Sequence, residues 1–144
     1  MENLRNPVNL FWLCVLLHLI ADYPLQGCLA NLKQRDWWRE QIIDLRHKNR
    51  DKTYEWQDKV TQLYKNDYIA GLVCHSLMWS ILTFLPLMLV CTPGMFATVV
   101  LANMISHLVV DHGKANQHMI NLREDQALHL LQIGVTNALV WLCT

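Results

Sequence analysis

His18-Leu19-Ile20-Ala21-Asp22 and His107-Leu108-Val109-Val110-Asp111 are near copies, each placing an imidazole and a carboxylate one helical turn apart in apolar surroundings. Asp125-Gln126-Ala127-Leu128-His129 carries the same two groups in reverse order at the same spacing. Residues at i and i+4 share one helix face, so each pair aims two potential ligands the same way. His75 stands within a run, Ile69 to Cys91, that holds no Asp, Glu, Lys or Arg. Ionisable side chains in such segments are costly and point to function by default. Imidazole nitrogen with carboxylate oxygen suits zinc, manganese or iron.

The seven groups, His18, Asp22, His75, His107, Asp111, Asp125 and His129, exceed one tetrahedral shell. One or two divalent ions per chain are expected, with any remaining groups serving as hydrogen-bond partners and proton carriers. Each residue also has an ordinary reading. His75 alone would suit an interhelical hydrogen bond, Asp22 and Asp111 could reach the membrane interface, and Asp125 could be a helix N-cap. Structural polar packing and a metal-free proton or ion relay use the same residues.

A bound metal makes water acidic and polarises phosphoryl or carbonyl oxygen. These ligand types therefore suggest metal-dependent hydrolysis of a lipid-linked or membrane-proximal substrate, with Asp125 or Glu124 taking a proton. Lys114 and Arg123 could bind a phosphate head group, or serve only as positively charged anchors. The chain has no GxSxG, P-loop or HExxH motif to indicate another chemistry. Two alternatives stand beside the hydrolase: a non-enzymatic protein acting on the envelope or on a host membrane partner, and an ion or proton conductor.

These side chains need long elements to hold them. Four segments, about 7–25, 69–91, 95–113 and 125–143, approach the roughly 20 apolar residues of a membrane-spanning helix. Cys91-Thr92-Pro93-Gly94 is a turn signal between the middle two. The runs lack the strict alternation of barrel strands, and a soluble bundle would need a polar face that Ile69–Cys91 does not offer. The expected fold is all-α: a polytopic membrane four-helix bundle, one domain over 1–144.

Between the first two spans, residues 29–67 form a polar insert of one or two amphipathic helices. Trp38, Ile42 and Leu45 recur at helical spacing, as do Trp56, Val60 and Leu63, with Tyr64 beside them. With Trp37, Trp38 and Trp56, this insert suits either an interfacial helix on anionic lipid or a solvated hairpin covering the bundle mouth.

Twelve basic and 12 acidic residues balance, which gives no basic footprint for nucleic acid. Nine of the 12 Lys and Arg fall between Lys33 and Lys65, and Lys114 and Arg123 would lie on the same side of four spans. By the positive-inside rule that side is cytoplasmic, leaving both termini and Arg5 on the other. The seven candidate ligands then all fall at the cytoplasmic end, although the spans were assigned without regard to them.

The two halves also read as a diverged parallel repeat. The five cysteines show no CxxC spacing and no disulfide framework. Leu25-Gln26-Gly27-Cys28 faintly resembles a lipoprotein cleavage box, but Asp22, Pro24 and Gln26 argue against cleavage.

The ordered set of motifs resembles a family of small, uncharacterised bacterial and phage multi-pass membrane proteins. It comprises His18 to Asp22 continuing into Tyr23-Pro24-Leu25-Gln26, then His75, His107 to Asp111 with Lys114, and Asp125-Gln126-Ala127-Leu128-His129. The likeness covers about 10–35 and 69–133; the charged insert exceeds the usual link. It implies membrane placement, here a bacterial inner membrane, and a shared polar site, but no activity. The lipid bilayer is the expected partner, with a homodimer or a membrane protein partner as further options.

Overall fold

A computed structural model describes residues 5–144. The residues before Arg5, which belong to the expected 1–144 domain and to the terminus expected outside the cytoplasm, lie outside the described residues. All regular structure among the described residues is helical. In chain order the helices are α1 (Pro7–Asp22), α2 (Leu29–Leu32), α3 (Arg35–Lys48), α4 (Tyr54–Tyr64), α5 (Asp67–Phe84), α6 (Pro93–Ala115) and α7 (Leu122–Cys143). A 3-10 turn, Leu85–Leu89, follows α5.

Local chemistry sets these boundaries. Asn6 caps α1 by accepting the Val8 N–H at 2.9 Å, with Pro7 in the first turn where its missing N–H costs nothing. Thr92 and Pro93 repeat the device at α6, where Thr92 Oγ1 accepts from Met95 N–H at 3.3 Å. At α7 a capping box closes. Asn121 Oδ1 accepts from the Arg123 and Glu124 amides, and the Glu124 carboxylate accepts from the Asn121 N–H at 2.8 Å. Glu124 is therefore engaged at the helix start, and Asp125 is not the N-cap. α1 stops at Asp22; Tyr23 still donates its N–H to the Leu19 carbonyl, and Pro24 has no N–H with which to continue the helix.

Three helical stretches are long and apolar enough to cross a membrane: one within Tyr54–Leu89, then Pro93–Ala115 and Leu122–Cys143. Pro7–Asp22 is apolar but shorter, at 16 residues. α5 packs against α1 and α6, and α7 packs against the same two. The outward faces are greasy: Trp12, Leu16 and Leu19 on α1, Leu101, Ile105 and Val109 on α6, and Leu131, Val135 and Leu139 on α7 are all exposed. The inward face of α6 is more polar than its outward face, since Asn103, His107 and Asp111 are buried there. One half of the interior is apolar, built on Leu10, Cys14, Trp79, Phe84, Leu87, Ile133 and Val140. The other half holds the ionisable groups.

The 29–67 segment comprises α2, α3 and α4. Ile42 and Val60 are buried, and Trp38 stacks on Tyr64 with ring centroids 6.4 Å apart, so α3 and α4 pair through the apolar positions. Leu63 is instead exposed. The short α2 lies against α5 at Gly71, where a Cβ would overlap the Leu32 carbonyl. Glycine is needed for that close approach. It fixes where the next residue, Lys33, enters the interior.

Candidate metal centre

The three i, i+4 pairs fall as helical geometry requires. His18 Nδ1 is 3.8 Å from Asp22 Oδ2, His107 Nε2 is 3.7 Å from Asp111 Oδ2, and His129 Nε2 is 3.3 Å from Asp125 Oδ1. α1, α6 and α7 turn these pairs inward, and α5 adds His75. His18, His75, His107, Asp111, Asp125 and His129 are buried, and Asp22 nearly so. All seven candidate ligands thus share one interior region.

Within it, distances separate the roles. His75 Nε2 and His107 Nε2 face each other at 3.1 Å, and lie 3.2 and 3.7 Å from Asp111 Oδ2. Asp22 Oδ1 is 3.6 Å from His75 Nε2. Bonds of about 2.0–2.1 Å to zinc imply ligand atoms about 3.3–3.4 Å apart around a tetrahedron. The observed spacings bracket that edge. Asp22, His75 and His107 form one group that could hold a metal ion, and His107, Asp111 and His129 form a second. Both need His107, and a neutral imidazole offers a single in-plane lone pair. The two groups overlap at His107 and together offer more donor atoms than one tetrahedral shell needs.

His18 does something else. Its Nδ1 accepts from Trp79 Nε1 at 2.9 Å, which leaves Nε2 to carry the proton and donate to Gln126 Oε1 at 3.1 Å. Both nitrogens are occupied, so His18 orients its neighbours. Gln126 passes the effect on, donating from Nε2 to Asp22 Oδ2 at 3.2 Å and to Asp125 Oδ2 at 3.1 Å. Trp79 also stacks on His107 with centroids 4.0 Å apart, and His107 stacks on His129 at 4.3 Å.

Two lysines balance the carboxylates. Lys33 Nζ donates to Asp111 Oδ2 at 2.5 Å, and Lys114 Nζ to Asp125 Oδ2 at 2.5 Å. Gln26, with its amide oxygen toward Lys33, accepts from Nζ at 2.5 Å and donates to the Asp22 carbonyl at 3.0 Å. Buried carboxylates unpaired would each cost several kcal/mol (order of magnitude); these are paired. The imidazoles are less well satisfied. His75 Nδ1, His107 Nδ1, both nitrogens of His129 and Asp125 Oδ1 are buried without a hydrogen bond, since the 3.3 Å approach of His129 to Asp125 is poorly aligned. Buried polar atoms are nearly always satisfied in folded proteins, so such a cluster calls for a ligand.

Lys33 carried no functional weight in the sequence, where it opens a run of basic residues. Nothing local signals that it is buried. Lys114 does lie at the site, with its side chain 31% exposed. Arg123 does not join it; its side chain is exposed on the first turn of α7. His112 stacks on Tyr68 and His118 faces Asp36 at 3.5 Å, both outside the cluster. No protein-family model, curated protein or solved structure matches this chain.

Proposed function

We propose that this chain is a polytopic membrane metalloprotein, a four-span helical bundle with a cytoplasmic helical insert, acting as a metal-dependent hydrolase on a membrane-proximal substrate. One observation carries the reading: imidazoles and carboxylates from four helices converge at tetrahedral ligand spacing, with several of their polar atoms lacking any partner. The greasy outward faces of α1, α6 and α7 support the bilayer as solvent, because a water-soluble bundle would place polar residues there. α1 spans about 24 Å at 1.5 Å per residue, somewhat less than a hydrocarbon core of about 30 Å. The bilayer thins locally around it. The excess of Lys and Arg in 33–65 supports a cytoplasmic insert and a site at the cytoplasmic end of a bacterial inner membrane.

His75, His107 and Asp111 would hold one divalent ion, with Asp22 or His129 completing the shell. When bound, the ion supplies acidified water and charge stabilisation. His129 Nε2 and Asp125 Oδ1 stand beside it, 3.3 Å apart, and could take the proton from water. His18, Trp79 and Gln126 hold the set in place. Ion conduction finds less support, because Trp79, Phe84, Leu10 and Leu87 close the far side of the cluster with apolar surface.

Elemental mass spectrometry of the detergent-purified protein tests the metal, and turnover of phosphoester and carboxyl-ester lipids before and after chelation tests the reaction. One metal per chain, lost in His107→Ala, with chelator-sensitive turnover is the expected result. A folded protein still empty after loading with zinc, manganese and iron would overturn the metal site. A metal-replete protein without turnover would overturn the hydrolase alone.

A further inference from the structure

Beside the metal ligands lies a cavity of about 200 Å3 lined by Asp22, Tyr23, Gln26, Lys33, Lys114 and Gln126, with Leu122 at its edge. Its rim is exposed at Tyr23 and Leu122, whereas Lys33 is only 8% exposed. A buried lysine is rare unless paired, and here two ammonium groups from distant parts of the chain meet at one opening. We propose that this mouth is an oxyanion subsite that holds the phosphoryl group of the substrate, with Lys33 and Lys114 as its cationic walls and Gln26 and Gln126 as neutral partners. The inference deepens the hydrolase reading and rests on it for the neighbouring metal.

Charge makes the argument. Asp22, Asp111 and Asp125 against Lys33 and Lys114 leave one net negative charge when the imidazoles are neutral. One divalent ion makes the region net positive, in an interior where unbalanced charge is costly. A bound oxyanion restores the balance. Geometry supplies the donors: each ammonium carries three N–H groups. Lys114 gives one to Asp125, and Lys33 gives one to Asp111 and one to Gln26.

Asp111, if it held an ion, would share less charge with Lys33, whose ammonium already lines the cavity. Two ammonium groups and two side-chain amides around one small opening, with the candidate ligand Asp22 in its wall, suit a tetrahedral phosphoryl anion. A neutral ester would leave the positive charge that the ion adds to the region unbalanced, although Lys114 keeps Asp125 as its partner. The aromatic and apolar rim, Tyr23 and Leu122, faces what the membrane reading makes the interfacial zone. A lipid phosphomonoester and free phosphate share the recognised chemistry.

The test is equilibrium dialysis of radiolabelled inorganic phosphate against the full chain in nanodiscs, with metal content measured on each sample. We expect saturable binding near one phosphate per chain. Lys33→Gln and Lys114→Gln should each weaken it about ten- to hundredfold, the loss of a hydrogen bond to a charged group, when compared with wild type at matched metal occupancy. Lys52→Gln, on the exposed α3–α4 turn, should leave it unchanged, and Lys33→Arg should recover binding if Lys33→Gln folds poorly. Competition by vesicles of phosphatidic acid, but not phosphatidylcholine, would identify a lipid phosphomonoester as the source. Saturable phosphate binding without such competition would identify a soluble one.

Binding of neither probe, or equal binding by wild type and the two Gln variants, would overturn the subsite. The two readings fail separately. Lysine-dependent phosphate binding by a chain that takes no metal would remove the hydrolase and the charge argument with it, and keep a subsite carried by the lysine donors alone. Metal retention with lysine-independent phosphate binding would do the reverse.

Discussion

Replacing Lys33 with Met removes the ammonium from Asp111 and leaves a buried carboxylate with only imidazole neighbours. The side chains of Lys33 and Asp111 are 9% and 2% exposed and their charged atoms are 2.5 Å apart, so solvent screens the pair little. Breaking a buried pair from one side costs about 3–5 kcal/mol. His75 Nε2 at 3.2 Å and His129 Nε2 at 3.7 Å lie close enough to offset part of this, which places Lys33→Met near the lower end, about 3 kcal/mol.

Asp111→Asn should cost less, about 1–2 kcal/mol, because the lysine stem can swing its ammonium toward the open mouth. The double variant leaves no uncompensated charge, so the two losses should fail to add by about 2 kcal/mol. The assay is unfolding of chelator-treated protein in mixed micelles, followed by tryptophan fluorescence and circular dichroism. A coupling below about 0.5 kcal/mol would place the pair in the range of exposed ion pairs. The buried Lys33–Asp111 contact, and with it the placement of α2 against α5, would then be refuted.

Two further outcomes follow from other contacts. Trp79→Phe removes the N–H that fixes His18 while keeping an aromatic ring against His107; metal affinity, read by chelator competition, should fall about 10- to 100-fold with the fold intact. Unchanged affinity would remove His18 and Trp79 from the support of the site. Cys28 and Cys143 are both exposed, the first after α1 and the second at the end of α7. In single-cysteine variants, an impermeant maleimide should reach Cys143 from outside intact spheroplasts and Cys28 only in inverted vesicles. The opposite pattern would invert the proposed topology.

Much of the candidate site was legible because helical periodicity is rigid. An i, i+4 pair must share a face, and three such pairs in apolar helices leave few places to go except inward together. The same geometry also distinguishes Lys114 from Arg123. Arg123 precedes Asp125 by two residues, about 200° around the helix, so an inward Asp125 turns Arg123 outward. Lys114 follows Asp111 by three residues, about 60° short of a full turn, and stays on the site's side. Charge alone does not separate Lys114 from Arg123; helical phase does.

Lys33 was not legible by any periodic argument. It follows the four-residue α2, and positive-inside bias already accounts for a lysine there. Its burial is a tertiary event that depends on the turn through Gly27, whose φ is +49°, and on the contact that Gly71 permits on another helix. Asn116 adds a further tie, donating to the Lys33 carbonyl at 3.0 Å and accepting from the Arg35 N–H at 2.6 Å. The start of the insert is thus bound to α5 and α6 beside the ligands. Any cation that takes charge from Asp111 acts on Lys33 directly, and through that short, well-tied segment on the way into the site. Lys33 is thus at once the counter-ion of Asp111 and a wall of the opening.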